Sequence, residues 1–368
     1  MSAVRITTTD GQAVTVTSTT STVPDWATRY LGGWWTAEPT TDLDGPTVSA
    51  DTDDTELLAL AGVVDNGDPE TIEYAGSTLL AVRDGDMVTA VQEDRALAYR
   101  WDAEWRVLRI VGTDETTLAA AAARLARELV RAQLLADGWA ILHASAVTDS
   151  EGSTILTLGD KGAGKTTTAI TLARAGWRLL ANDRVFARVD DAGVVRVLPW
   201  PSAAAFGLGL LDALDLYDTV RTRLTSGETM HPTQHRTVTD ALLQGRRTPL
   251  WKASGKELKP QFWPDQLTTW LSMPLATQGH ATGILFPQIS PGAPPRLTDG
   301  TRGVQDTDFF TAETEDRYPD IFGLLPPAAD CRRLREHLGA LPHQGLVMGH
   351  DAAENAITLK GATARLGA

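Results

Sequence analysis

The stretch Thr154–Thr168, TILTLGDKGAGKTTT, constrains this chain more than any other. An apolar strand, Ile155–Leu158, runs directly into Gly159-Asp-Lys-Gly-Ala-Gly-Lys-Thr166, which fits the P-loop pattern G-x-x-x-x-G-K-[ST]. A helix-forming run, Thr167–Ala175, follows, and Gly176 stops it. Gly159, Gly162 and Gly164 let the backbone take positive φ and turn its N–H groups toward phosphate oxygens. The helix N-terminus adds its positive dipole end. Lys165 is placed to reach the β- and γ-phosphates of ATP, and Thr166 offers a hydroxyl to Mg²⁺. The nucleotide-binding set predicted here is Gly159, Asp160, Lys161, Gly162, Ala163, Gly164, Lys165, Thr166 and Thr167. The alternative is a glycine-rich turn that matches by chance; a strand before it and a helix after it argue against that.

A chain of 368 residues exceeds one ordinary domain, so two domains are expected. The hydrophobic share of 42% and charged share of 22% are those of a soluble globular protein. A net charge of −14 and a pI of about 4.9 argue against general binding to nucleic acid or to an anionic membrane, while leaving room for a local basic pocket. The single cysteine, Cys331, can form no internal disulfide and belongs to no CxxC or metal pattern. With no signal peptide and no apolar run of membrane-spanning length, a cytoplasmic protein is expected. The adjacent pair Trp34-Trp35 is read as core.

Residues 1–112 are expected to form a β-rich domain that docks a partner, recognises substrate or supports a homo-oligomer. Three hairpins are predicted: Val4–Ser18 around Asp10-Gly11, Thr78–Val91 around Asp84-Gly85, and Ala96–Val111. The acidic run Asp51–Glu56 is read as a solvated loop. Thr113–Thr116 is a helix start, and Leu118–Ala136 is rich in Ala, Leu and Arg before Gly138. The domain boundary is expected just before this helix, giving a second domain over 113–368. Arg124, Arg127 and Arg131 fall near one face, read as solvated rather than phosphate-binding. Trp139–Val147 alternates as a strand, and Trp177–Ala181 is a buried strand ending in Asn182-Asp183-Arg184. An aspartate at the end of such a strand beside a P-loop is where a Mg²⁺-directed carboxylate belongs, so Asp183 is preferred as functional over a turn or cap. Arg184 faces phosphate or solvent. A lone His143 reads as structural.

The combination of a strand histidine, GDKGAGKT, a short helix and RLLAND resembles the HPr kinase/phosphorylase superfamily, and more narrowly the HPr-kinase-like domains that accompany peptide-modifying biosynthetic enzymes. That family carries a histidine, then G-D-S-G-x-G-K-S, a helix, and R-L-x-A-D-D. Here His143 precedes Lys165 by 22 residues, and Asn182 and Asp183 follow it by 17 and 18. The resemblance covers Trp139 to Pro287. It implies an α/β fold with a P-loop kinase core, a mixed sheet flanked by helices. It implies ATP and Mg²⁺ as cofactors and transfer of the γ-phosphoryl group to a hydroxyl, on a biosynthetic peptide or a small-molecule alcohol. It assigns Lys165 to the phosphates, Thr166 and Asp183 to the metal, and His143 to the neighbourhood of the γ-phosphate. It therefore makes His143, Lys165 and Asp183 the candidate catalytic residues. The departure is Asn182, where the family has the first aspartate of its pair. Either Asp183 then serves both roles, or His143 is the base, or the chain hydrolyses or only binds ATP. The family's signature loop for phosphorolysis is not seen.

Val185–Val189 and Val194–Leu198 are expected to form a hairpin, with a helix opening in Trp200–Gly209 and running to Leu216, capped by Ser202. Residues 221–263, with Arg221, Arg223, Arg246, Arg247, Lys252, Lys256 and Lys259, are the most basic part of an acidic chain and read as a polar, mobile loop that closes over ATP or holds an acidic acceptor, or is simply solvated. His231 and His235 are an i, i+4 pair that Pro232 keeps off a common helix. Ala281–Pro287 is a buried strand, Gly303–Phe310 and Arg332–Leu341 a helical C-terminal part joined by Asp316–Pro327, and the tail beyond Leu359 dispensable.

Overall fold

The structure is a computed structural model that describes residues 1–299, 302–310, 319–328 and 330–367. It is an α/β protein with mixed parallel and antiparallel sheets in two compact units. The first comprises Met1–Trp139 together with residues 319–328; the second comprises Ala140–Phe310 and the chain from Asp330 onward.

In the first unit the elements are β1 (Ser2–Thr7), β2 (Ala13–Ser18), α1 (Thr22–Leu31), β3 (Thr36–Pro39), β4 (Thr47–Thr52), α2 (Asp54–Asp65), β5 (Glu70–Tyr74), β6 (Ser77–Asp84), β7 (Met87–Gln92), β8 (Leu97–Asp102), β9 (Val107–Gly112) and α3 (Glu115–Ala136). The nine strands form one sheet in the order β3-β1-β2-β4-β9-β8-β7-β6-β5. All three predicted hairpins are present, as β1–β2, β6–β7 and β8–β9. Trp34 and Trp35 are buried, as expected.

The boundary between units falls after Trp139 and not at residue 112. The cause is α3, which packs on α1, β2, β4 and β9 and so belongs to the first unit's core. Its arginines are not a solvated face. Arg127 and Arg131 are buried around Glu128, at 2.9 and 3.0 Å, while Arg124 lies over the Tyr74 ring. Burial alone would raise the Glu128 carboxyl, but the two guanidinium charges hold it below its ordinary value.

The acidic run Asp51–Glu56 is likewise not a solvated loop. Asp51, the penultimate residue of β4, accepts from Ser18, the Thr19 N–H and Arg109; Asp53 caps α2 by accepting from the Glu56 N–H; Glu56 pairs with Arg109. Of the expected connector Asp316–Pro327, residues 316–318 lie outside the described residues. The remainder packs into the first unit, where the Phe322 ring meets Tyr99 and Ile321 accepts from Arg83.

The second unit contains β10 (Ala140–Leu142), β11 (Ser145–Thr148), β12 (Ser153–Thr157), α4 (Lys165–Arg174), β13 (Arg178–Ala181), β14 (Val185–Val189) and β15 (Val195–Pro199). A smaller lobe follows: β16 (Ala204–Ala205), α5 (Leu208–Ala213), α6 (Tyr217–Thr225), α7 (Arg236–Leu243), β17 (Leu250–Trp251), β18 (Glu257–Leu258), β19 (Gln261–Phe262) and α8 (Pro264–Thr269). The chain then returns to the sheet with β20 (Gly279–Ile289), β21 (Arg296–Thr298), α9 (Arg332–Ala340), β22 (His343–Met348) and α10 (Ala352–Arg365). The main path is β10-β14-β15-β20-β12-β11-β13, with β22 pairing β20 and β21.

The helix after Trp200 does not start at Ser202 but at Leu208, after the two-residue strand β16. Residues 221–263 are not a mobile loop: they hold α6, α7 and three short strands, and Arg247 pairs with Asp212 and Asp218 while lying over Tyr217. Gly303–Phe310 carries only one short 3₁₀ turn, Asp306–Asp308. The tail is structural, since Leu359, Ala362 and Leu366 of α10 and its end are buried.

Candidate functional site

The strand pairing decides where the chemistry-bearing residues meet. β11 is antiparallel to both β12 and β13 and lies between them, so β12 and β13 run in the same direction. β20 is parallel to β12, and β22 to β20. The carboxyl ends of β12, β13, β20 and β22 and the amino end of β11 therefore share one edge of the sheet. Ligands of α/β sheets bind at that kind of edge. Residues 158–164 leave it from β12, Asn182-Asp183 from β13, and His143 enters it just before β11.

The expected single strand Trp139–Val147 is in fact two. β10 pairs with β14, whereas β11 pairs with β12 and β13, and the break between them falls at His143. The His143 N–H donates to the Asp308 carbonyl at 2.8 Å, and its ring lies 5.4 Å from that of Phe310.

The loop from Gly159 to Gly164 curls through positive φ at Gly159 (150°), Gly162 (87°) and Gly164 (109°). Gly164 is the N-cap of α4 and carries no side-chain cap, so the helix's first N–H groups face the loop without a competing carboxylate or hydroxyl. The φ of 109° favours glycine at 164, and a Cβ there would also crowd the Met348 methyl (2.7 Å) and Ile289 Cδ1 (2.9 Å), side-chain ends that would have to shift. Those two neighbours end β22 and β20, which brace the loop from beneath.

Lys165 folds back over its own loop, with Nζ donating to the carbonyls of Gly159 (2.5 Å) and Asp160 (3.2 Å). Burial pulls its ammonium below the ordinary lysine value, with Asp183, Asp308 and Asp160 acting in the opposite direction. The Ser145 hydroxyl, fully buried, donates to the Lys165 carbonyl at 2.7 Å and ties β11 to the start of α4. The Thr166 hydroxyl donates to the Asn182 carbonyl at 3.3 Å. Asn182 is buried, whereas the Asp183 side chain is 65% exposed, with Arg184 Nε 3.8 Å away. Arg184 lies over Phe310 (4.4 Å) and Trp200 (5.6 Å), so aromatic faces hold it beside the carboxylate.

Asp160, Lys161, Gly162, Ala163 and Thr167 all lie on the loop or in the first turn of α4, so the whole predicted set is contiguous in space. His231 and His235 lie elsewhere and do separate work. His231 is buried against Trp263 and bonds Thr233, and His235 caps α7.

Two residues of this edge escaped the sequence reading. Arg302 forms a forked pair with the buried Asp308, Nη1 to Oδ2 and Nη2 to Oδ1, both at 2.9 Å. Its Nη2 is also 3.8 Å from Asp160 Oδ1 in the loop. No motif marks either residue, and more than a hundred positions separate them from the loop.

Compared with known proteins, the chain matches no family model, and no curated protein matches it. No described helix is long and apolar enough to cross a membrane. Among the described residues no cluster of three or more His, Cys, Asp or Glu side chains could hold a metal ion by itself.

Proposed function

We propose that this chain is an ATP- and Mg²⁺-dependent kinase with an HPr-kinase-like P-loop core. It would transfer the γ-phosphoryl group to a hydroxyl of a biosynthetic peptide or, as a near alternative, of a small-molecule alcohol. The observation that carries this reading is convergence: an uncapped helix N-terminus with its glycine loop, one lysine, one exposed carboxylate and one histidine meet at a single sheet edge.

The donors suit magnesium delivered with a nucleotide. Such an ion keeps several waters and takes one or two protein oxygens besides the phosphates, which the exposed Asp183 carboxylate and the Thr166 hydroxyl can supply. When bound, it neutralises charge on the phosphate oxygens. The loop N–H groups and α4 would hold the phosphate tail, and Lys165 would exchange its two carbonyl partners for β- and γ-phosphate oxygens. The acceptor oxygen forms its bond to the γ-phosphorus as the bond to the β-phosphate oxygen breaks and ADP leaves with that electron pair. The hydroxyl proton goes to Asp183 or His143, since the amide of Asn182 cannot take it. His143 is suited to the role because its backbone is pinned by Asp308 and its ring is braced by Phe310.

Asn182 also favours a second reading, an ATPase or ATP-binding module with a degenerate transfer site. Incubation with γ-labelled ATP and peptides bearing Ser or Thr separates the three. Label on an acceptor supports the kinase, phosphate release alone an ATPase, and binding alone a module. Lys165→Ala should abolish turnover with melting little changed; a variant with wild-type turnover would remove the mechanism.

A further inference from the structure

Arg302 is built in a way that neutralising Asp308 does not explain. Asp308 is 1% exposed, and both its oxygens are occupied, by the Arg302 fork and by the Gln305 N–H at 2.8 Å. The same residue's carbonyl receives the His143 N–H, so the segment is anchored at the sheet edge. Phe286 of β20 lies beneath the guanidinium, 5.4 Å from its carbon. One carboxylate therefore fixes the plane of Arg302 and one ring fixes its height. A guanidinium has five N–H groups, and Asp308 uses only part of that fork. On the loop side Nη2 reaches Asp160, whose side chain is 83% exposed, at 3.8 Å. With the Asp160 carboxylate largely in solvent and the separation at 3.8 Å, that contact is weak, and a dianionic phosphate entering the loop displaces it.

We propose that Arg302 is a catalytic residue that contacts the transferring phosphoryl group, and that Asp308 is the positioning residue that aims it. The proposal rests on the kinase reading above. Loose phosphoryl transfer spreads negative charge over the equatorial oxygens, and a planar, permanently charged fork placed beforehand meets that charge without reorganisation. Lys165 would then serve the ground-state phosphates, and Arg302 the charge that develops as the bond to the leaving oxygen breaks. Asp308 would also couple the two sides of the site, since it orients Arg302 through its carboxylate and pins His143 through its carbonyl.

The test uses the full chain and turnover of γ-labelled Mg·ATP in the presence of Ser- and Thr-bearing peptides, counted as phosphate transferred plus phosphate released, with nucleotide affinity read by calorimetry and stability by melting without ligand. Arg302→Ala should lower turnover by about 10³-fold while ATP affinity falls much less, since an arginine of this kind acts on the transition state. Guanidinium chloride at concentrations well below denaturation should restore part of the loss, and Arg302→Lys should restore little, because an ammonium cannot form the fork. A structural arginine predicts the reverse: lowered melting, turnover retained at temperatures where the protein is folded, and no guanidinium rescue. If Arg302→Ala leaves Asp308 unpaired and the protein unfolded, the double variant Arg302→Ala with Asp308→Asn removes the pair together and should show the same loss. Folded variants with turnover within about threefold of wild type would overturn the role of Arg302 alone. A wild-type chain that binds Mg·ATP without turning it over, or does neither, would overturn the kinase reading and the role of Arg302 with it.

Discussion

Gly279 opens β20, and the structure leaves no room for a side chain there. A Cβ at this position would lie 1.9 Å from the Thr154 hydroxyl oxygen, 3.1 Å from that of Thr148 and 3.2 Å from the Gly152 carbonyl. The two threonine hydroxyls are buried and hydrogen-bonded to each other at 3.0 Å. Neither is the loose end of a long chain, so relief requires breaking that bond or moving the strand. Overpacking costs about 1–3 kcal/mol, and stranding a buried hydroxyl adds about 1–3 kcal/mol. Gly279→Ala should therefore destabilise the protein by about 3–5 kcal/mol, a large part of an ordinary domain's total. Tryptophan-monitored urea unfolding reads this directly. Thr154→Ala removes the obstructing oxygen, so the double variant should be little worse than Thr154→Ala alone, a coupling of about 2 kcal/mol or more. The consequence reaches the site, because β12 and β20 are parallel partners and the Leu158 N–H donates to the Leu285 carbonyl just before the glycine loop. Nucleotide affinity should fall in Gly279→Ala and recover in the double variant. Unfolding within about 0.5 kcal/mol of wild type, or simple additivity in the pair, would refute the steric reasoning.

Two further predictions concern the frame. In Asp51, burial acts to raise the carboxyl, but bonds from the Thr19 N–H, Arg109 and Ser18 outweigh it and bring the value down from 3.8 to about 2. A depressed carboxylate stabilises the fold above its unfolded value, so this contribution should be present above about pH 4 and vanish as pH falls toward 2; Asp51→Asn should lower stability at pH 7 by about 1–2 kcal/mol and flatten the acid limb, and an unchanged acid limb would count against the bond set. Removing the chain beyond Leu359 discards the buried Ala362 and Leu366, the latter packed close over Gly283 of β20, and should cost about 3 kcal/mol by thermal melting; an unchanged melting temperature would restore the tail to the dispensable part.

What was legible in the sequence was local. The Asp-Gly hairpins, α3 with its Asp114 cap, and the strand–glycine loop–helix around Gly159 follow from residues that are neighbours in the chain. Two misreadings were also local, and a signal for each was present. Asp53 and Glu56 sit three apart at the start of α2, as do Asp351 and Glu354 at the start of α10, and in both helices the aspartate accepts the glutamate's N–H. That spacing marks a helix N-terminus, but acidic composition hid it in the first case, and in the second Gly361 inside the run lowers its helix propensity. Other misses depend on pairing between distant strands, which period and propensity do not encode. The boundary moved because α3 buries its face on β2, β4 and β9, and that choice of partner is settled by packing. The strand through His143 broke because its halves hydrogen-bond to different neighbours, β14 on one side and β12 with β13 on the other. The same break sets the histidine at the sheet edge, facing the segment that carries Asp308 and Arg302. A motif can report the phosphate loop, since a loop's geometry is written in consecutive residues. The groups brought to that loop from β10, β13 and the return after β20 are specified only by the sheet order. Substitutions at Arg302 and Asp308 therefore test the sheet order as much as the chemistry.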